Sequence, residues 1–147
     1  FPFNPAALRV PVKARPPRRI SADDWEAIHA ARASQMVTHG QGLPDEPRRT
    51  YAETREHDKR SFVLGYADGP DGELTHLMFL LHDGGYHSPY DVWWCAYRTP
   101  EQFLELMAML KSFSDQVLTV SMREPSWLQL QDLLSRLSER PAEAGAR

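Results

Sequence analysis

The chain has 147 residues, 41% hydrophobic and 25% charged, a composition that fits one globular domain and excludes a disordered segment. No apolar run, Leu77 to Leu81 included, approaches the roughly 18 residues of a membrane helix. The net charge of −3 gives no bulk electrostatic reason to expect a nucleic-acid partner.

Five of the twelve prolines, Pro2, Pro5, Pro11, Pro16 and Pro17, fall in residues 1–19. Proline fixes φ and removes a donor, so this segment is predicted to be extended, a connector arriving from an upstream domain, with a short strand admitted near Arg18 to Ile20. A start at Phe1 rather than Met fits processing or a piece of something longer. Lys13, Arg15, Arg18 and Arg19 form a basic cluster broken by Pro16 and Pro17. Without interleaved aromatics it reads as a solvated linker rather than a phosphate-binding arm.

The folded domain is expected over residues 20–138. Ser21, with Asp23 and Asp24 behind it, starts a first helix whose face carries Trp25, Ile28, Ala31 and Met36, ending at Gly40 or Gly42. A second, highly charged helix runs from Pro47 to His57. Three strands follow, Ser61 to Ala67, Glu73 to His82 and Tyr90 to Tyr97. They are joined by turns at Gly69-Pro70-Asp71-Gly72 and Asp83-Gly84-Gly85, which imply an antiparallel meander. The second and third strands are apolar on both faces and need cover on both sides.

Thr99, Pro100 and Gln102 form a cap, a first helical turn and a capping box. Phe103, Leu106, Met107, Leu110 and Phe113 then make one helical stripe. A strand from Gln116 to Met122 follows, with Leu118, Val120 and Met122 on one face, and then a helix carrying Trp127, Leu130, Leu133, Leu134 and Leu137. Residues 139–147 form a frayed tail. The order is (β)ααβββαβα, an α/β (α+β) fold with a central, mostly antiparallel sheet flanked by helices.

That order is the core of the GNAT acetyltransferase fold. Thr99-Pro100-Glu101-Gln102-Phe103 followed by Ser114-Asp115-Gln116-Val117 resembles the second half of tandem GNAT proteins typified by the Eis (enhanced intracellular survival) N-acetyltransferases. Arg123-Glu124-Pro125 and Leu128 to Leu134 are similar to bacterial members of that group. The resemblance covers residues 1–140 and is specific from Tyr90 onward. It implies three parts: an N-terminal GNAT domain that binds acetyl-CoA, a second GNAT-like domain matching this chain, and a C-terminal sterol-carrier-like domain. The other two parts are the implied partners, and a homo-oligomer is left open. Acetyl transfer to an amine then belongs to the parent protein. The family's catalytic tyrosine and terminal carboxylate have no matching positions, so no catalytic residue carries over.

An active GNAT domain resembles an anion trap where its fourth strand meets its third helix, with glycine-rich backbone N–H groups facing the pyrophosphate. Here the junction reads Arg98-Thr99-Pro100-Glu101-Gln102-Phe103. It has no glycine, Pro100 has no N–H, Glu101 brings a negative charge, and Thr99 is spent as a cap. Only Arg98 is favourable. No cofactor-binding residue is therefore assigned, and this chain alone is expected to be inactive.

His82, Asp83, His87 and Asp91 share a ten-residue span, but a glycine-rich turn scatters side chains, and hairpin surface is preferred to a metal site. His76 reads as a satisfied interior or interface residue. Cys95, inside Trp93-Trp94-Cys95-Ala96, reads as core rather than nucleophile. A lone cysteine excludes an intrachain disulfide and fits a reducing, cytoplasmic compartment. Trp93 and Trp94, adjacent on a strand, are expected on opposite faces, one under the third helix. With Tyr86, Tyr90 and Trp127 they are assigned to core or domain interface ahead of a ligand pocket.

The competing functions are a free-standing small-ligand-binding module on a GNAT shell and a self-sufficient acetyltransferase with a degenerate cofactor loop. One physical expectation supports the reading as one piece of a larger enzyme. Residues 138–147 are poor strand material, so the strand from Gln116 to Met122 should have an unpaired side that another domain, a second copy or residues 1–19 must cover.

Overall fold

A computed structural model describes residues 1–34, 47–56, 60–82, 84 and 88–134. The elements are β1 (Pro2–Phe3), β2 (Arg18–Ile20), α1 (Trp25–Ala33), α2 (Pro47–Glu56), β3 (Ser61–Tyr66), β4 (His76–His82), β5 (Tyr90–Ala96), α3 (Pro100–Ser112) and β6 (Val120–Ser121). Short 3-10 turns occupy Pro5–Ala7, Ala22–Asp24, Pro70–Gly72 and Leu130–Leu133. The six strands form one sheet in the order β1-β6-β5-β4-β3-β2. Neighbours are antiparallel except β5 and β6, which run parallel. Among the described residues no helix is long and apolar enough to cross a membrane.

The apolar runs of β4 are covered on both sides, as their composition requires. Met78 and Leu80 enter a core under α3 with Val92, Cys95, Phe103, Leu106, Met107 and Leu110. Leu77 and Phe79 enter a second core under α1 with Ile20, Ile28, Ala31, Val63 and Ala96. In α3 the buried positions Phe103, Leu106, Met107 and Leu110 recur at helical spacing, so one stripe meets the sheet. The Thr99 hydroxyl accepts from the Gln102 N–H at 3.1 Å, as expected of the cap. Gln102 reaches back one residue further than a capping box would, accepting from the Arg98 N–H at 2.7 Å. The turn after β3 holds Asp71 at φ 57° and Gly72 at φ 78°, a left-handed pair that aspartate and glycine tolerate.

Several expectations are corrected. Ser21 caps the 3-10 turn Ala22–Asp24, and α1 begins only at Trp25; Gly40 and Gly42 lie outside the described residues. The last strand shrinks to Val120–Ser121, and Leu118 is exposed instead of sharing a face with Val120 and Met122. The helix expected after it is a 3-10 turn at Leu130–Leu133; Leu137 and residues 139–147 lie outside the described residues. Most consequential, β6 has no open side. β1 pairs it on one flank and β5 on the other, and the Met122 N–H donates to the Phe1 carbonyl at 3.2 Å.

The segment read as a connector is therefore also a sheet element. It leaves β1, buries Leu8, makes a bridge between Leu8 and Leu134, runs beside α3 and re-enters the sheet at the opposite edge as β2. Its prolines keep it extended, and its apolar residues bind it to the core.

Candidate functional site

The densest polar cluster joins this arm to the sheet and to α3. Arg15 donates from Nε and Nη2 to Glu105 at 2.7 Å each, and from Nη1 and Nη2 to Asp68 at 2.9 and 2.7 Å. Both pairs are bidentate, the geometry in which a guanidinium binds carboxylates best. The guanidinium also lies 4.9 Å from the centroid of the Tyr66 ring, and the Tyr66 hydroxyl donates to the Arg15 carbonyl at 2.9 Å.

His76 sits beneath it, 1% exposed, stacked on Tyr66 at 4.7 Å between ring centroids. Its Nε2 is 2.8 Å from Glu105 Oε1 and its Nδ1 is 2.9 Å from Thr75 Oγ1. Burial pushes the imidazole below its usual range, against the pull of Glu105. Nε2 thus faces the Glu105 carboxylate as a donor, and Nδ1 faces the Thr75 hydroxyl, which also reaches the Tyr66 carbonyl at 3.2 Å. The hydrogen bonds from Arg15 and His76 hold the Glu105 carboxyl down to about 2, and Arg15 likewise lowers Asp68. Burial, with Glu105 adding to it, pushes the Tyr66 phenol up to about 12.

Ligand atoms of Asp68, His76 and Glu105 lie within 4.8 Å of one another, close enough for a metal ion. The Arg15 guanidinium already bridges both carboxylates there, so the cluster works as a clamp on the arm. The sequence shows Arg15 in a basic run and His76 as an interior residue; it shows neither carboxylate as their partner.

The strand-to-helix junction lies at the end of β5. β5 and β6 pair only at Tyr90–Val120 and Asp91–Ser121, and beyond that β5 continues without β6. On that side Tyr97 and Phe103 are buried, and the Trp127 indole closes over them, its Nε1 donating to the Tyr97 hydroxyl at 2.8 Å. Burial raises the Tyr97 phenol, with the Trp127 hydrogen bond opposing. Arg98 is held by Glu73 at 3.0 Å, and Glu101 sits in the first turn of α3.

The two tryptophans do not straddle the sheet. The register passes from Phe79–Trp94 to Leu80–Val92, which leaves Trp93 as the extra residue of a β-bulge. Both rings then touch Phe79 on the α1 face, at 5.5 and 5.4 Å between centroids. The bulge also shifts the phase, so Val92 and Cys95 both enter the core under α3. Neither tryptophan joins that core, and Tyr90 and Trp127 lie on the other face from them. Cys95 is buried there. His82 and Asp91 are described, His82 against Phe62 and Tyr90; Asp83, Tyr86 and His87 lie outside the described residues. Arg18 and Arg19 are exposed on β2.

No protein-family model matches the chain, and no curated protein matches its sequence. Solved structures do. One is a GCN5-related N-acetyltransferase from Anabaena variabilis, with a TM-score of 0.69 and 12% identity, covering 97% of this chain and 35% of that one. Another is a conserved protein of unknown function from Enterococcus faecalis, a probable N-acyltransferase, with a TM-score of 0.63 and 18% identity, covering 82% of this chain and 30% of that one. The likeness establishes a GNAT-like fold, the class expected from the element order. The chain spans about a third of the length of each.

Proposed function

We propose that this chain is a non-catalytic GNAT-like domain of a longer, Eis-like, acetyl-CoA-dependent N-acetyltransferase, standing between an upstream GNAT domain and a downstream sterol-carrier-like domain. One observation carries the absence of a cofactor site. At the β5–α3 junction most groups that might receive a pyrophosphate are committed or unsuited, the exception being the Arg98 Nε, which is buried without a hydrogen-bond partner. Thr99 serves Gln102, Gln102 serves Arg98, Arg98 pairs with Glu73, Pro100 lacks an N–H, and Glu101 repels an anion. The gap beyond the β5–β6 pairing is filled by Tyr97, Phe103 and Trp127. These residues do not fit acetyl-CoA.

The place in a longer protein rests on the motifs from Tyr90 onward and on the greater length of the matched structures. It does not rest on an open sheet edge, because β1 closes that edge. Acetyl transfer to an amine is then the work of the parent, with this domain orienting the catalytic one and the chain residing in the cytoplasm.

Thermal shift or calorimetry with acetyl-CoA tests this. A specific ligand at 100 times its Kd adds about 2.7 kcal/mol, well within detection. No stabilisation is expected; a saturable micromolar response would overturn the non-catalytic assignment and favour a self-sufficient acetyltransferase.

A further inference from the structure

We propose that the hollow between α2 and the outer edge of the sheet binds a small uncharged ring compound bearing one hydrogen-bond acceptor. Its volume is about 410 Å³, within the range of ligand sites. The floor is apolar: Ile20 of β2, Val63 of β3 and Phe79 of β4, all buried. Three hydroxyls rim it, those of Ser21, Thr54 and Ser61.

Hydroxyl bookkeeping sets the ligand's polarity. Thr54 donates into its own helix, to the Thr50 carbonyl at 3.0 Å. The Ser21 oxygen accepts from the Asp23 N–H at 3.1 Å, leaving its proton to give. Ser61 is buried, and its hydroxyl makes no hydrogen bond among the described residues. Two donors thus remain for an acceptor on the ligand.

Charge is excluded by the sheet's alternation. Arg19 borders the hollow, but it is paired with Leu64, and its guanidinium lies 5.4 Å from the Phe62 ring centroid. Leu64 and Phe62 pack against the core under α3. Arg19 therefore spends its charge on the ring of Phe62, a residue that also borders the hollow but packs against the core of the other face. Arg55 in the last turn of α2 and Asp23 neutralise each other at 3.1 Å. Nothing described in the wall compensates a buried ionic group, whose desolvation is costly. The Phe79 ring in the floor favours an aromatic body. This site lies across the sheet from Tyr97 and Trp127 and stands apart from the acetyl-CoA question.

Titration of the isotopically labelled full chain with p-cresol, followed by amide chemical shifts, tests the site. Saturable shifts centred on Ile20, Ser61, Val63 and Phe79 are expected, with toluene and benzoate each about tenfold weaker or worse. Ser61→Ala should weaken p-cresol severalfold and leave toluene unchanged. Ala22→Phe, which fills the hollow from the 3-10 turn, should abolish the response while the rest of the spectrum persists; if that variant unfolds, Ser61→Ala decides. Unsaturable or scattered shifts, benzoate binding as tightly as p-cresol, or a Ser61→Ala variant of unchanged affinity would each sink the proposal.

Discussion

Two arginines fasten opposite faces of one sheet by different physics. Arg32 on α1 is 9% exposed at its side chain; it donates to Glu53 at 2.6 Å and to the Thr50 hydroxyl at 3.0 Å, with its guanidinium 4.2 Å from the Trp94 ring centroid. Burial pushes its pKa down, and Glu53 pulls it back. Arg15 in the N-terminal arm is 53% exposed, and the hydrogen bonds it donates to Glu105 and then to Asp68 push its pKa up. The buried arginine holds two helices together because its removal takes from the partly buried Glu53 the nearer of its two cations. The exposed one depends on geometry, two bidentate pairs that water constantly contests. Burial, rather than the number of bonds, sets what each is worth.

The sharpest way to break that contrast is Arg32→Ala. It leaves Glu53 with only the exposed Arg49, 3.7 Å away, and Trp94 without its cover, and breaking a buried pair costs about 3 kcal/mol. Denaturant unfolding should show that loss, and Glu53→Gln in the Arg32→Ala background should recover part of it through their coupling. A loss as small as that of an exposed pair would erase the distinction.

Acid titration gives a middle-sized effect. In the folded chain Glu105 sits near 2, below the roughly 4.3 of an unfolded glutamate, so the unfolded state takes its proton first. Its contribution, present above pH ~4.3, is lost as the pH falls toward 2. His76 is also depressed, so the unfolded chain protonates first below pH ~6.5 and stability falls in that window too. Glu105→Gln should flatten the lower window and His76→Gln the upper one, both read from midpoint against pH.

Which of these features the sequence reveals depends on how local they are. α3 is legible because Thr99, Pro100 and the stripe from Phe103 to Leu110 act within a turn or two of each other. β3, β4 and β5 are legible from their turns. The bulge at Trp93 is not, because it exists only in the register against Phe79 and Leu80, and it reverses the face assigned to one tryptophan. The Arg15 clamp joins residues 53 and 90 positions apart, with nothing beside Arg15 to mark Asp68 and Glu105 as partners. The β1–β6 pairing joins opposite ends of the chain through two residues, one of them a proline, a pattern that reads as linker.

The smallest expected effect is Arg15→Gln. At 53% exposure the clamp is screened by water, so its loss should cost only about 1 kcal/mol, and less in high salt. The location of the change is more telling than its size. Arg15 is fixed to Asp68 and Glu105, while further back in the arm Leu8 is buried and β1 pairs with β6 through two residues. Release of Arg15 should speed amide exchange at Phe3 and Leu8, and trypsin cleavage after the exposed Lys13, while α1 and α2 stay as protected as before. His76 would keep Glu105 as a partner, so the core under α3 should hold. Uniform loss of protection across the sheet would mean that the exposed arginine stabilises the whole fold, as the buried one does. Protection lost only along residues 1–14 would establish Arg15 as the latch of the arm, with Arg32 left as the tie between helices.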